Sequence, residues 1–217
     1  TGRLAGTTRL TLVATQALSS FHLDLLLPTR SVTVDGRPAT HSRPDPHELR
    51  ITPVEPLAAG QVVDVVVRYS GRPASVSWQR ENSWAASPHE VLAVNEPHMA
   101  AWWFPANDHP SDKALMDVSI TTARGKQVVS NGERVSRVVH GGTATTRWRS
   151  RQPMAPYLAF FAAGPFRVER GTYRGLPWLI AVSQAIPSRE RRRAFALMRR
   201  TARLTAWLEG QLGPYPF

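Results

Sequence analysis

The hydrophobic period of this chain changes once, and that change constrains its fold more than any other feature. Before about residue 183 apolar residues recur at every second position; after Pro187 they recur every three or four. A period of two lines one face of a strand, and a period near 3.6 lines one face of a helix. In the first part Leu10, Leu12 and Ala14 alternate with Arg9, Thr11 and Val13, and Phe21, Leu23 and Leu25 alternate with His22 and Asp24. Val32 and Val34 run into Asp35-Gly36, a tight hairpin signal. The stretch VVDVVVRY at residues 62–69 is β-branched and reads as a strand buried on at least one face. Further strands are expected at residues 48–52, 91–94, 116–122, 127–130, 135–139, 143–150, 157–163, 166–169 and 178–182, punctuated by Gly, Pro and Asn-Gly. Residues 71–88 are polar, carry Trp78 and Trp84, and read as a long loop or an irregular hairpin. Then Leu197, Thr201, Leu204, Leu208 and Leu212, widened by Phe195 and Met198, form the stripe of a helix from about Arg189 to Glu209. Arg192, Arg199 and Arg203 lie opposite it. The chain is therefore expected to be mainly β, an antiparallel sandwich or saddle of packed sheets followed by one amphipathic helix. A lone helix with a wide apolar face asks for a partner beyond these strands.

Composition narrows the chemistry. Hydrophobic residues make up 42% of the 217, enough for a real core. The net charge of +11 comes from 27 basic and 16 acidic residues, and Lys113 and Lys126 are the only lysines. The arginines are scattered, with one dense run at residues 189–193, so nucleic acid is not expected as a partner. The absence of Cys excludes disulfides, thiol catalysis and Cys-ligated zinc. No apolar run approaches the roughly 20 residues of a membrane-spanning helix, and none is expected.

No H-E-x-x-H, no glycine-rich phosphate loop and no G-x-S-x-G elbow occurs. Asp108, His109 and Ser111 are the ingredients of a triad, but they stand too close in sequence to converge from separate elements. Glu96, His98, Asp108 and His109 could be gathered around a metal. Loop histidines beside carboxylates are common without one, so no metal ligand and no catalytic residue is assigned.

The stretch EPHMAAWWFPANDHPSDKA at residues 96–114 is more specific. It resembles the N-terminal domain of the aminopeptidase N family of zinc metallopeptidases. That family carries an aromatic-Pro-x-x-Asp-x-Pro-x-x-Lys-Ala corner, which Pro105, Asp108, Pro110, Lys113 and Ala114 fill here. Residues 18–25, 34–36, 57–60, 67–71, 128–132, 153–158 and 212–217 resemble further pieces of the family in the same order. The resemblance implies a saddle-like N-terminal β domain at residues 1–183. Residues 184–217 would then be the start of a thermolysin-like catalytic domain, ending before its zinc motif.

The resemblance also implies roles. The corner of Pro105, Asp108, Pro110 and Lys113 would sit at the interface with the catalytic domain, with the aromatic run supplying buried area. Asp108 and Lys113 would anchor loop backbone or pair with each other. Glu96 lies nine positions before Pro105, where the family places a Gln or Glu that binds the substrate's free α-amino group. A carboxylate meeting an ammonium in a dry cleft makes a charge-assisted hydrogen bond, which selects for a free N-terminus. Ala106 stands where the family often has Cys, and Met99 and Pro156 where it has small residues. In the parent enzyme zinc, held by two His and a Glu, would polarise the scissile carbonyl and activate water. None of those residues is present, so this chain alone is expected to bind no catalytic zinc and hydrolyse no peptide. Its expected partners are peptides, through their N-termini, and the missing catalytic domain. Two competing readings are a non-catalytic scaffold of the same architecture and an unrelated basic sandwich that binds polyanions.

Overall fold

The computed structural model describes residues 2–94, 96 and 100–215. The chain divides into two compact units, and every strand pairing described is antiparallel. No described helix is long and apolar enough to cross a membrane.

The first unit comprises Thr1–Pro88, Leu92–Ala114 and Met154–Phe160. Its strands are β1 (Leu4–Val13), β2 (Phe21–Asp24), β3 (Thr29–Val34), β4 (Arg37–Pro38), β5 (Thr40–Ser42), β6 (Glu48–Thr52), β7 (Val62–Gly71) and β8 (Trp84–Ala86). A short β9 (Val91–Ala93) follows in sequence. One sheet has the order β1-β7-β3-β4, with Leu12 opposite Val63, Leu10 opposite Val65 and Val32 opposite Val67. The other has the order β2-β6-β5, with Leu23 opposite Leu49. The expected alternation holds in both: Val63, Val65, Val67, Leu23, Leu49 and Ile51 are buried. On the opposite side of β1 and β7, Arg9 pairs with Asp64 at 2.7 Å in the open. Asp35 and Gly36 both take positive φ, 48° and 77°, as the two-residue hairpin turn requires.

Residues 71–88 form the irregular hairpin. A 3-10 turn at Pro73–Ser75 leads to a tight turn closed by reciprocal Trp78 and Glu81 backbone bonds. Gln79 and Arg80 between them both have positive φ, without a glycine to relieve it. Asn82 holds the segment by donating to the Pro73 carbonyl at 2.9 Å and accepting from the Trp84 amide at 2.7 Å.

The second unit comprises His89–Val91, Leu115–Pro153 and Phe161–Phe217. It contains β10 (Asp117–Ala123), β11 (Gln127–Ser130), β12 (Glu133–His140), β13 (Thr143–Arg149), β14 (Phe161–Gly164), β15 (Phe166–Tyr173) and β16 (Leu176–Ser183). Strands β10, β13 and β12 form one sheet, β11 pairs with β14, and β15 with β16. The strand expected at residues 157–163 starts late. Pro156 opens a 3-10 turn at Pro156–Leu158, closed by the Ala159 amide on the Pro156 carbonyl, and β14 begins only at Phe161. The β15–β16 hairpin is longer than its apolar pattern implies. Gly171 and Pro177 are poor strand formers, but Gly171 lies directly opposite Trp178 and makes room for its ring.

The helix runs as α1 (Ser188–Met198) and α2 (Thr201–Leu212). Arg199 and Arg200 between them keep right-handed helical dihedrals, and the Arg200 amide reaches back only three residues, to Leu197. The two segments thus form one helix with a single tightened turn. Its packed side is not the leucine stripe. Phe195 and Ala194 pack with Trp178, Ile180 and Val182 of β16, while Leu197, Leu204 and Leu212 are 63%, 58% and 82% exposed. Arg199 forks onto the Glu169 carboxylate at 3.0 Å through two nitrogens and fixes the helix across β15.

Candidate functional site

Two features of the first unit carry the sequence signals: the turn holding Glu96, and the corner that follows. Glu96 is exposed in a turn between β9 and a 3-10 turn at Ala100–Trp102. His98 and Met99 lie outside the described residues. An exposed carboxylate is available to a ligand, and its surroundings within this chain neither bury it nor pair it among the described residues.

The corner itself is deeply packed. Ala100, Ala101 and Trp102 are fully buried, and Trp103, Phe104, Pro105 and Ala106 are buried beside them. Trp102 donates its indole N–H to the Val76 carbonyl at 2.9 Å. Trp103 and Phe104 meet edge to face with ring centroids 4.4 Å apart. The backbone is held as firmly as the rings: the Leu26 amide donates to the Ala101 carbonyl at 2.9 Å, and the Tyr69 hydroxyl to the Trp103 carbonyl at 2.8 Å. Burial pushes the Tyr69 phenol up to about 12, against a smaller downward pull from Thr8.

After Ala106 the chain emerges. Asn107, His109, Pro110 and Lys113 are exposed and Asp108 is half-buried. Asp108 does anchor backbone: its Oδ2 accepts from the Ala100 amide at 3.3 Å. Its own amide donates to Asp24 Oδ2 at 2.7 Å. Lys113 forms no ion pair among the described residues, so it does not pair with Asp108. Asn107 donates to Asp112 at 2.8 Å across the loop. The His109 and Ser111 side chains meet at 2.7 Å, but in the open, with the Asp108 carboxylate directed at Ala100 instead. The three therefore shape a turn and do not form a triad.

The residue that gathers the corner is Asp24, at the end of β2. Its amide donates to the Ala106 carbonyl at 2.7 Å, its Oδ2 takes the Asp108 amide, and its Oδ1 accepts from His47 Nδ1 at 3.0 Å. His47 in turn stacks on Trp78 with ring centroids 4.2 Å apart. Burial pulls the His47 imidazole down, but the bonded Asp24 carboxylate, with Glu48 and Asp108 nearby, outweighs it and holds the ring above its ordinary value. Arg43, whose pKa burial lowers, donates to the Leu25, Leu27 and Pro46 carbonyls on the next stretch of chain. Sequence reasoning passed over Asp24, His47 and Arg43. Asp24 and His47 were visible only as polar residues beside strands, and partners so distant along the chain leave no periodic signal.

Asp24, His47 and Glu48 lie close enough to share a cation. The donor set does not suit zinc: both Asp24 oxygens are already committed, one to His47 and one to the Asp108 amide. The two His and a Glu of a catalytic zinc site are not supplied by the described residues, and no step of chemistry is assigned to a metal on this chain.

The Peptidase M1 N-terminal domain profile matches residues 18–158, a stretch that contains the Glu96 turn, the corner and Asp24. The chain belongs to the peptidase M1 N-terminal domain family. Solved structures agree with that family's fold. An M1 zinc metallopeptidase from Deinococcus radiodurans superposes with a TM-score of 0.79 at 24% identity, covering 99% of this chain and 50% of that one. A mutant M1 zinc metallopeptidase from the same organism, bound to a Tyr-Ser-Ala substrate, gives 0.81 at 23% identity with the same coverage. A two-domain M1 zinc metallopeptidase mutant bound to L-arginine also gives 0.81, at 23% identity. The chain thus spans about half the length of the solved proteins it matches. No curated protein matches it by sequence.

Proposed function

We propose that this M1 N-terminal domain belongs to a zinc-dependent aminopeptidase, caps its active site, and uses Glu96 to bind the substrate's free N-terminus. Hydrolysis itself falls to a catalytic domain carrying the zinc, beginning near residue 184. The observation that carries the reading is the pairing of an exposed Glu96 with a rigidly pinned corner, inside the family match at residues 18–158. A carboxylate that discriminates an ammonium must be held still, because orientation lost on binding weakens the charge-assisted bond. The exposed leucine stripe of α1 and α2 supports the same assignment: Leu197, Leu204, Leu208 and Leu212 would be covered by the rest of that catalytic domain. The corner, with Pro105 buried and Pro110 and Lys113 outside, would abut it as well.

The test uses the complete gene product. Glu96→Ala should raise KM for aminoacyl substrates at least about tenfold, the loss of roughly 1.4 kcal/mol of binding, with zinc content unchanged. Unchanged KM removes the role from Glu96. A gene product without zinc moves the whole domain to a scaffold.

A further inference from the structure

The geometry points to His47 as a proton-dependent latch on the corner, acting through Asp24. The chain of contacts is continuous. His47 Nδ1 donates to Asp24 Oδ1 at 3.0 Å, and the second oxygen of that carboxylate receives the Asp108 amide at 2.7 Å. The backbone of Asp24 meanwhile forms a two-bond bridge with Ala106. One carboxylate thus has its two oxygens divided between a titratable ring and the loop, and its main chain bound to the same loop two residues earlier. Side chains at both ends are largely shielded, with 12% of His47 and 17% of Asp24 exposed, so the bond is screened only weakly.

The ring itself has no freedom to substitute another contact. It is stacked on Trp78, its own amide is held by Asp45 Oδ1 at 2.9 Å, and its carbonyl accepts from the Leu25 amide at 2.9 Å. The groups that face it are acidic: Asp24 from β2, Glu48 from β6 and Asp108 from the corner. Trp78 contributes no charge, and Arg43 on the same loop spends its guanidinium on carbonyl oxygens. The charged ring therefore fixes the Asp24 carboxylate electrostatically, and the neutral ring keeps only a hydrogen bond. His47 titrates above its ordinary value. The extra hold on the loop is thus fully present below the usual histidine range and is lost as pH rises through the raised value. This device is distinct from Glu96: it acts on the loop backbone and touches no substrate.

Amide exchange on the complete gene product, read residue by residue by NMR and corrected for intrinsic rates, tests the latch directly. The protection factor of Asp108 should fall severalfold between pH 6 and pH 8.5, with a midpoint matching the His47 ring titration seen in the same spectra. Leu49 and Val65 in the core should show no such step. His47→Phe, which keeps an aromatic ring against Trp78, should leave Asp108 at the low protection at both pH values. A His47 titration that the Asp108 amide does not follow overturns the proposal without recourse to any variant. Wild-type protection of Asp108 in His47→Phe overturns it as well.

Discussion

The hydroxyl of Tyr69 lies 2.8 Å from the carbonyl oxygen of Trp103, so a strand in the middle of the first sheet holds the main chain of the aromatic corner. The ring is almost wholly buried, and Gly6 on the neighbouring strand leaves the space it occupies. Tyr69→Phe removes the hydroxyl's bond to the buried Trp103 carbonyl and should cost about 1–3 kcal/mol. The phenol also gives an alkaline limb. Its folded value of about 12 lies above the ordinary phenol value of 10.0, so the stabilisation is intact below pH 10 and is lost between pH 10 and 12. Chemical denaturation across that window should show falling stability in the wild type, and a much flatter profile in Tyr69→Phe.

Two glycines with nearly the same φ should respond differently to alanine. Gly36 sits at 77° in the β3–β4 turn with open space where a Cβ would project. Gly132 sits at 76°, and there a Cβ would collide with the carbonyl of Arg149, a backbone group that cannot swing away. Gly36→Ala should cost about 1 kcal/mol, the backbone strain alone. Gly132→Ala adds displacement of β13 and should cost clearly more, with urea midpoints resolving the two. Equal costs would mean that the β12–β13 edge gives way easily.

The longer strands of the first unit were legible because each turns one face inward, whereas β4 and β5, exposed throughout, left no such signal. Leu10 and Leu12, Leu23 and Leu25, and Val63, Val65 and Val67 alternate as the pleat demands, and Asp35-Gly36 announces its turn. The corner was legible as a motif, but its fastening was not. Asp24 looks like one more outward residue of β2, and nothing near it in sequence announces that Ala106 and Asp108 will pair with it. The helix was legible in position and only half legible in orientation. Its four leucines recur at helical spacing with Phe195 and Met198 beside them, so periodicity read one wide apolar face without dividing it. The structure seats only the Phe195 end of that face, with Ile180 and Val182 of β16, beneath the guanidinium groups of Arg167 and Arg199 at 5.7 and 5.9 Å from its centroid.

Asp117 should give the second unit a weak acid-sensitive limb. Hydrogen bonds and charge from Arg147 and Arg149 hold its carboxyl down at about 2, against an ordinary value of 3.8. A depressed carboxyl stabilises above its unfolded value, so this contribution is intact above about pH 4 and disappears as pH falls through 2. The side chain is 39% exposed, so after solvent screening the effect should be about 0.5–1 kcal/mol and should shrink in high salt. Asp117→Asn leaves Arg147 and Arg149, two positions apart along β13, without the carboxylate they share and should lower the melting temperature by a few degrees at pH 7. A variant whose melting temperature tracks the wild type from pH 2 to pH 7 would show that the pair contributes nothing measurable.

The helix offers a test in which two faces of one element predict opposite outcomes. Phe195 is 3% exposed and belongs to the cluster with Ile180 and Val182, so Phe195→Ala should cost about 3–5 kcal/mol and loosen the helix from β16. Leu204, Trp207 and Leu208 are 58%, 63% and 45% exposed on the same helix, and an apolar face of that kind associates in water. The 217-residue chain should therefore self-associate as its concentration rises. Leu204→Glu together with Leu208→Glu should return it to a monomer in light scattering, with its thermal stability unchanged, since neither side chain packs on β16. A wild-type chain that stays monomeric at every concentration would mean that this face avoids water by other means, and the leucine stripe would then no longer argue for a covering domain.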